Sequence, residues 1–384
     1  MIYHLGMRQL IVFIDAAARW SGGYIEHLNG ILSSGGIPPD FSVFVACSAE
    51  MIKALGMVDS GVELILEKEL TASPWKQHEW RLKKLPQLIK KIKADIHFNP
   101  RGLLSKNNLL GIPRVTMCRN LLPFDRSEVK RFPPFSKERY RQYFRHYTEA
   151  NSFSHADGVI FLSEYSLEKL RSCGIKIGMT EVIPHGVNES FREPPRKYSL
   201  PNSPRILYVS SKYIYKHQWN VAEAIDILRK ESMIDIQLDL VGSDEPYGSQ
   251  ILHDTIRKLE NPEWLRNIGN IPHGRLADYF HRADIFVWAS TVETFGIALV
   301  EAMASGLPIA CSNRRPMTDI LGDAGVYFDP ENLRSISEAV KALLNDDEFR
   351  FKLGKMAYDR ALNYSWKKCA QETFLFLQKV TNST

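Results

Sequence analysis

Cysteine is scarce. The chain of 384 residues holds five, Cys47, Cys118, Cys173, Cys311 and Cys369, odd in number and with no C-x-x-C pair. That pattern speaks against a disulfide framework and a cysteine-based zinc site, and it points to a reducing cytoplasm. No run reaches the roughly 18 uninterrupted apolar residues that a bilayer-spanning helix needs. The opening stretch MIYHLGMRQLIVFIDAAARW has neither the basic start nor the small-residue cleavage site of a secretion signal. Its apolar run ending in Asp15 reads as a first buried strand, with the first six or so residues as a loose extension. The chain contains no D-x-D, and the glycines after the first strand do not form G-x-G-x-x-G, so the dinucleotide fingerprint is absent. Short-period repeats and low-complexity segments are missing too.

What is present is ordinary for a soluble globular protein: 44% apolar and 24% charged residues, at a length that implies two domains. The formal charge of +5 is uneven. Residues 1–195 carry 26 Lys and Arg against 20 Asp and Glu, and the remainder 23 against 24, so the basic excess lies in the first half. Short β-branched runs alternate with helical patterns, which predicts parallel α/β architecture. In the first half strands are expected at Gln9–Ile14, Ser42–Ala46, Asp95–Phe98, Arg114–Cys118, Gly158–Phe161 and Thr180–Ile183. Helices are expected near Gly23–Ser33, Trp75–Ile92, Lys137–Asn151 and Ser166–Arg171. The proline-rich stretch Phe191–Arg205 reads as a linker. The pattern then restarts, with strands at Ile206–Ser210, Gln237–Val241, Asp284–Trp288, Pro308–Ala310 and Val326–Phe328. Helices lie at Trp219–Lys230, Ser249–Leu259, Leu276–His281 and Ile297–Ala304. Two such halves predict two Rossmann-like domains facing a cleft, with ligand at the carboxyl ends of the strands.

The stretch Ala289–Pro308, ASTVETFGIALVEAMASGLP, carries the most chemistry. It reads as strand end, loop, helix and next strand. A helix N-terminus at the carboxyl end of a parallel strand offers free N–H groups and a positive dipole end to an anion. Gly296, after Thr294 and Phe295 and before Ile297, lets a phosphate approach the backbone. Glu293 precedes the helix and Glu301 lies two turns along it. Carboxylates accept hydrogen bonds from paired hydroxyls, so the two suit a sugar on one side of a phosphate cradle and a ribose on the other.

The context ETFG…LVEAMASGLPI resembles the donor-binding signature of family 4 retaining glycosyltransferases. The resemblance covers most of the chain from the linker onward and implies the GT-B fold. It implies an N-terminal acceptor-side domain over 1–192, a linker over 193–204 and a donor-binding domain over 205–364. The last helix, at about 365–384, is then expected to pack back on the first domain. By the same resemblance the loop Arg19-Trp20-Ser21-Gly22-Gly23 faces the donor diphosphate and the reacting sugar. In Tyr208–His217, YVSSKYIYKH, Lys216 matches the lysine that neutralises the leaving diphosphate. Ser211 or Lys212 takes the place of the usual arginine, and His217 stands where glycine or asparagine is commoner. Gly242 ends a strand facing the nucleotide, and Ile268–His273 leads into the stretch that meets the base edge.

The first domain departs from the family. Where many members carry a histidine, VTMCRNLLPFD presents Arg119 and Asn120. Both bind hydroxyls or phosphate, and neither titrates usefully as a general base. A retaining transfer in which the departing phosphate oxygen takes the proton needs little base. His97 is a further candidate beside a structural reading, and His185 in IPHGV is read as shaping its turn. With no D-x-D, Lys216, the helix dipole and backbone N–H groups are expected to replace a metal, so no cofactor is required.

The function these features imply is retaining transfer of a hexose-type sugar from a nucleotide-diphosphate sugar to a glycan or lipid-linked acceptor in surface-polysaccharide assembly. Alternatives are a sugar-nucleotide epimerase, a glycogen-type synthase, or a silent sugar-nucleotide-binding scaffold. Nucleic acid is not an expected partner. The segment Arg126–Tyr147 interleaves basic and aromatic residues, with Tyr140, Phe144 and Tyr147 on one helical stripe, and a second basic run covers Lys83–Lys93. Two readings stand for it: contact of the first domain with the inner face of an anionic membrane, or an aromatic stripe packed on the sheet beneath solvated arginines.

Overall fold

The computed structural model describes residues 9–16, 22–71, 74–104, 108 and 110–384. Of the loop after the first strand, Arg19, Trp20 and Ser21 lie outside the described residues, as does the expected N-terminal extension. The first sheet comprises β1 (Leu10–Asp15), β2 (Phe41–Cys47), β3 (Val62–Leu66), β4 (Ile96–Asn99), β5 (Arg114–Cys118), β6 (Gly158–Phe161) and β7 (Met179–Val182). The second comprises β8 (Arg205–Val209), β9 (Gln237–Val241), β10 (Leu265–Gly269), β11 (Ile285–Trp288), β12 (Ile309–Ser312) and β13 (Val326–Phe328). The helices are α1 (Gly22–Leu32), α2 (Ala49–Leu55), α3 (Pro74–Ile92), α4 (Arg126–Val129), α5 (Lys137–Ser154), α6 (Glu164–Ser172) and α7 (Gln218–Ser232). They continue with α8 (Pro246–Lys258), α9 (Leu276–Arg282), α10 (Ile297–Ala304), α11 (Met317–Leu321), α12 (Leu333–Asn345), α13 (Asp347–Ala361) and α14 (Trp366–Ser383).

Every described strand pair is parallel, in the orders β3-β2-β1-β4-β5-β6-β7 and β10-β9-β8-β11-β12-β13. Strands buried on both faces read as continuous apolar runs, and β4, β5, β6, β11 and β12 are buried at every residue. In each sheet the chain builds outward from a central strand, then crosses to its other side, between β1 and β4 and between β8 and β11. The loops leaving those two strands diverge and open a crevice at their carboxyl ends. That topology decides where each unit can hold a ligand.

The chain divides into two compact units. One holds the described residues within Met1–Asn120, Tyr143–Gly186 and Ser365–Thr384, and the other Leu121–Gln142 and Val187–Tyr364. Two boundaries differ from the sequence reading. Leu121–Gln142 and residues 187–192, expected in the first domain, belong to the second unit, and the division falls inside α5. The expected linker is laid down on the second unit: Glu193 N–H donates to the Ala304 carbonyl at 3.0 Å and Arg350 reaches the Tyr198 carbonyl at 3.2 Å. Proline removes donors but does not prevent a segment from packing.

Helix α14 belongs to the first unit. Ser365 caps it by accepting from the Lys368 N–H, and Trp366, Cys369, Ala370, Phe374, Phe376 and Leu377 form its buried face. Its fit against α1 requires Gly30, where a Cβ would lie 2.1 Å from the Trp366 ring.

Candidate functional site

The site of the second unit forms where the loops after β8 and β11 meet. Thr291 N–H donates to the Tyr215 carbonyl at 2.9 Å, tying the two loops together. Lys216 ends a short 3-10 turn, and the next residue, His217, has φ 48°. That left-handed angle is the reason glycine or asparagine is commoner there. The turn sends the Lys216 side chain inward, where only 9% of it is exposed. Its ammonium meets the Glu293 carboxylate and lies 4.5 Å above the centroid of Trp288. Tyr208 donates its hydroxyl proton to the Lys216 carbonyl and stands edge-on to Trp288, with ring centroids 5.5 Å apart. Ammonium, carboxylate and indole are therefore held as one cluster.

Gly296 caps α10 at φ 90°, a conformation that favours glycine, and no side chain caps that helix or puts an acid in its first turn. Its positive end faces the loop that carries Glu293. Phe295 is buried and packs edge-on against Tyr364, so at that position the backbone, not the ring, is available to a ligand. Thr294 and Ile297 flank the turn, half-buried. Glu301 is 4% exposed and faces His273, whose Nε2 lies 3.4 Å from its carboxylate.

Behind this cluster β8 and β9 approach closely. A Cβ on Gly242 would sit 2.0 Å from the Ser210 carbonyl oxygen. Ser211 and Ser243 share a hydroxyl hydrogen bond of 2.8 Å. Lys212 is buried, donating to the Gly242 carbonyl at 2.8 Å and to Asp244 at 2.9 Å. Its ammonium locks that turn, in contrast with Lys216 beside the α10 terminus.

In the first unit Arg119 donates to the Gly23 carbonyl at 2.7 Å and lies 5.4 Å from the Tyr24 ring centroid. Burial pushes its guanidinium down to about 10. The structure thus joins Arg119 to the glycine turn that opens α1 at Gly22, and Asn120 follows, half-buried. His97 is 3% exposed, and burial pushes its imidazole down to about 4. His185 lies with His27 and Cys369 in a buried group whose ligand-type atoms all fall within 4.8 Å of one another. The two imidazoles interact through Nδ1 at 3.3 Å, burial holds both neutral, and the nearby Arg119 charge opposes a cation there.

The aromatic stripe of α5 does not pack on a sheet. Tyr140, Tyr143, Phe144 and Tyr147 are 56%, 47%, 68% and 71% exposed, so the stripe lies open instead of beneath solvated arginines. Arg131 is engaged instead with Glu128 and Glu331, and Arg145 with Glu149.

The fold brings Lys216, Glu293 and Gly296 together and sets around them Trp288, Tyr208 and Tyr215, which the sequence pattern did not single out. Those aromatics sit in apolar strands and a turn, where the pattern carries only a core signal.

Two family models match in succession: Glycosyltransferase Family 4 over residues 41–191 and Glycosyl transferases group 1 over residues 190–360. The O-antigen chain mannosyltransferase B of Escherichia coli is 28% identical over 178 residues, 46% of each chain. The chain thus matches about half the length of such curated relatives. Sucrose-phosphate synthase from Thermosynechococcus elongatus superposes with a TM-score of 0.75 at 20% identity, covering 98% of this chain and all of that one. HepE from Anabaena, in complex with UDP-glucose, gives 0.72 at 17% identity, covering 97% of this chain and all of that one. At such identities these structures speak for the fold. Two doubly wound parallel sheets and the two consecutive family matches place the chain in glycosyltransferase family 4, with the GT-B fold.

Proposed function

We propose that this chain is a retaining, metal-independent glycosyltransferase. It moves a hexose-type sugar from a nucleotide-diphosphate sugar to a glycan or lipid-linked acceptor in surface-polysaccharide assembly. The observation that carries the reading is the Lys216–Glu293 pair held over Trp288 beside the α10 terminus. In the reaction the bond from the anomeric carbon to the diphosphate oxygen breaks and a bond to the acceptor oxygen forms. The acceptor proton passes to the departing diphosphate. Lys216 and the positive end of α10 offset the charge that develops there, and such preorganised groups work best in a site that excludes water. Glu293 accepts hydrogen bonds from sugar hydroxyls and Glu301 from the ribose. Arg119, Asn120 and the Gly22–Gly23 turn serve the phosphate and acceptor side.

Two names support the substrate class: UDP-glucose in HepE and the mannosyl O-antigen activity of the Escherichia coli relative. Peripheral membrane contact belongs to the same reading. The exposed α5 aromatics, flanked by Lys137 and Arg141, form an amphipathic face that suits an anionic lipid surface. The test is a calorimetric screen of common sugar nucleotides, followed by an assay of sugar transfer with NMR of the product anomer. Binding followed by turnover with retained configuration is expected. Binding without turnover identifies a scaffold, and an inverted anomer overturns the retaining mechanism.

A further inference from the structure

We propose that Trp288 is itself a donor-binding residue, its indole Nε1–H donating to a phosphoryl oxygen of the substrate at the N-terminus of α10. The proposal rests on the reading of this site as one for a nucleotide-diphosphate sugar and adds a residue to it. Trp288 is 3% exposed, and its Nε1 has no hydrogen-bond partner among the described residues. A buried N–H without an acceptor forfeits its hydration without replacement and is uncommon in native interiors. Trp288 is therefore a poor choice for a purely structural strand end, where phenylalanine packs without that cost.

The surroundings say which acceptor completes it. A Cβ built on Gly296 would lie 3.9 Å from the Trp288 Nε1 and 3.7 Å from the Leu299 Cβ, and among the described residues beyond its own chain neighbours it would meet nothing else within 4 Å. The orphan donor thus borders the open space over Gly296. The same indole carries the Lys216 ammonium above its face. One rigid ring consequently fixes a neutral donor at its edge and a cation over its plane, beside the glycine N-cap of α10. An indole N–H donates and never accepts, so it favours an oxyanion over a hydroxyl. Glu293, which only accepts when ionised, has the opposite preference. This division sets phosphate toward Trp288 and Lys216 and hydroxyls toward Glu293.

Full-length protein labelled with 15N gives one indole N–H signal for each of its seven tryptophans. Single Trp→Phe replacements assign them, and replacements at the other six assign Trp288 by elimination should Trp288→Phe fail to fold. The probes are UDP, GDP, ADP, dTDP and inorganic pyrophosphate, with uridine as the uncharged control. The Trp288 proton is expected to move downfield with a diphosphate and to stay in place with uridine. Trp288→Phe keeps a ring beneath Lys216 and is expected to weaken diphosphate binding by about ten- to a hundredfold, the worth of a hydrogen bond to a charged group. A diphosphate that binds in a Lys216-dependent way without moving the Trp288 signal overturns the proposal and leaves the donor site standing. If the wild-type protein binds none of the diphosphates, the donor-site reading fails, and this proposal with it.

Discussion

Removing one member of the Lys216–Glu293 pair has a consequence that precedes catalysis. The two side chains are 9% and 14% exposed, so each charge relies on the other more than on water. Lys216→Met leaves the Glu293 carboxylate largely desolvated, and breaking a buried pair from one side costs about 3–5 kcal/mol. The second unit contains about two hundred residues, a size at which 1 kcal/mol moves the melting temperature by roughly 2–4 °C. The single substitution should therefore lower the melting temperature of that unit by about 6–20 °C. Glu293→Gln should act similarly, because it strands the ammonium, although the Trp288 face offsets part of that loss. The double variant Lys216→Met, Glu293→Gln removes both charges and should recover much of the stability, giving a favourable coupling energy in the cycle. Differential scanning calorimetry of the four proteins without ligand measures this. Turnover of Lys216→Met should fall by about 10²-fold or more, as when a preorganised group at a developing charge is lost. Purely additive melting shifts would refute the pairing, and near-normal turnover in both singles would refute the site.

Gly30→Ala should destabilise the first unit by about 1–3 kcal/mol, because its methyl group collides with Trp366. Pairing it with Trp366→Leu should relieve part of the loss in a thermal melt. Stability should fall as pH drops from about 6.5 through about 4, since His97 and His217 are pushed down to about 4 while the unfolded chain takes up protons near 6.5. The unfolded state binds more protons in that window, so melting temperatures flat from pH 7 to 4.5 would contradict it. Activity should survive EDTA, and a loss that manganese or magnesium reverses would rule out the metal-free mechanism. Binding to anionic liposomes should weaken with salt and on replacing Lys137 and Arg141 by glutamine, at about 1 kcal/mol per basic residue. Replacing Phe144 and Tyr147 by serine should weaken it too, and sedimentation that ignores all four changes would leave α5 without a membrane role.

The buried strands were legible because a doubly covered parallel strand must be apolar along its whole length, as in Gly158–Phe161. The edge strands β3 and β10 were not. LRNIG spends its middle residues on exposed positions and shifts register between Asn267 and Gly269, so its pattern reads as loop. Glu293 and Gly296 stood out in the sequence because a carboxylate and a glycine before a helix follow the pattern of an anion site at a helix terminus, and Lys216 stood out by its match to the family's lysine. What spacing could not show was the partner of each lysine in that loop. Lys212 and Lys216 are four residues apart in the same loop, and the folded loop turns one into a lock on Asp244 and the other onto Trp288. The aromatic stripe of α5 was likewise visible as a stripe, but whether a sheet covered it was not, since helical periodicity states which residues share a face and not what lies against it. Local pattern therefore determined the buried strands, the helix terminus and the carboxylates. Only the tertiary structure decided the partners of each charge and the exposure of each aromatic, because both depend on atoms contributed by segments distant in the chain.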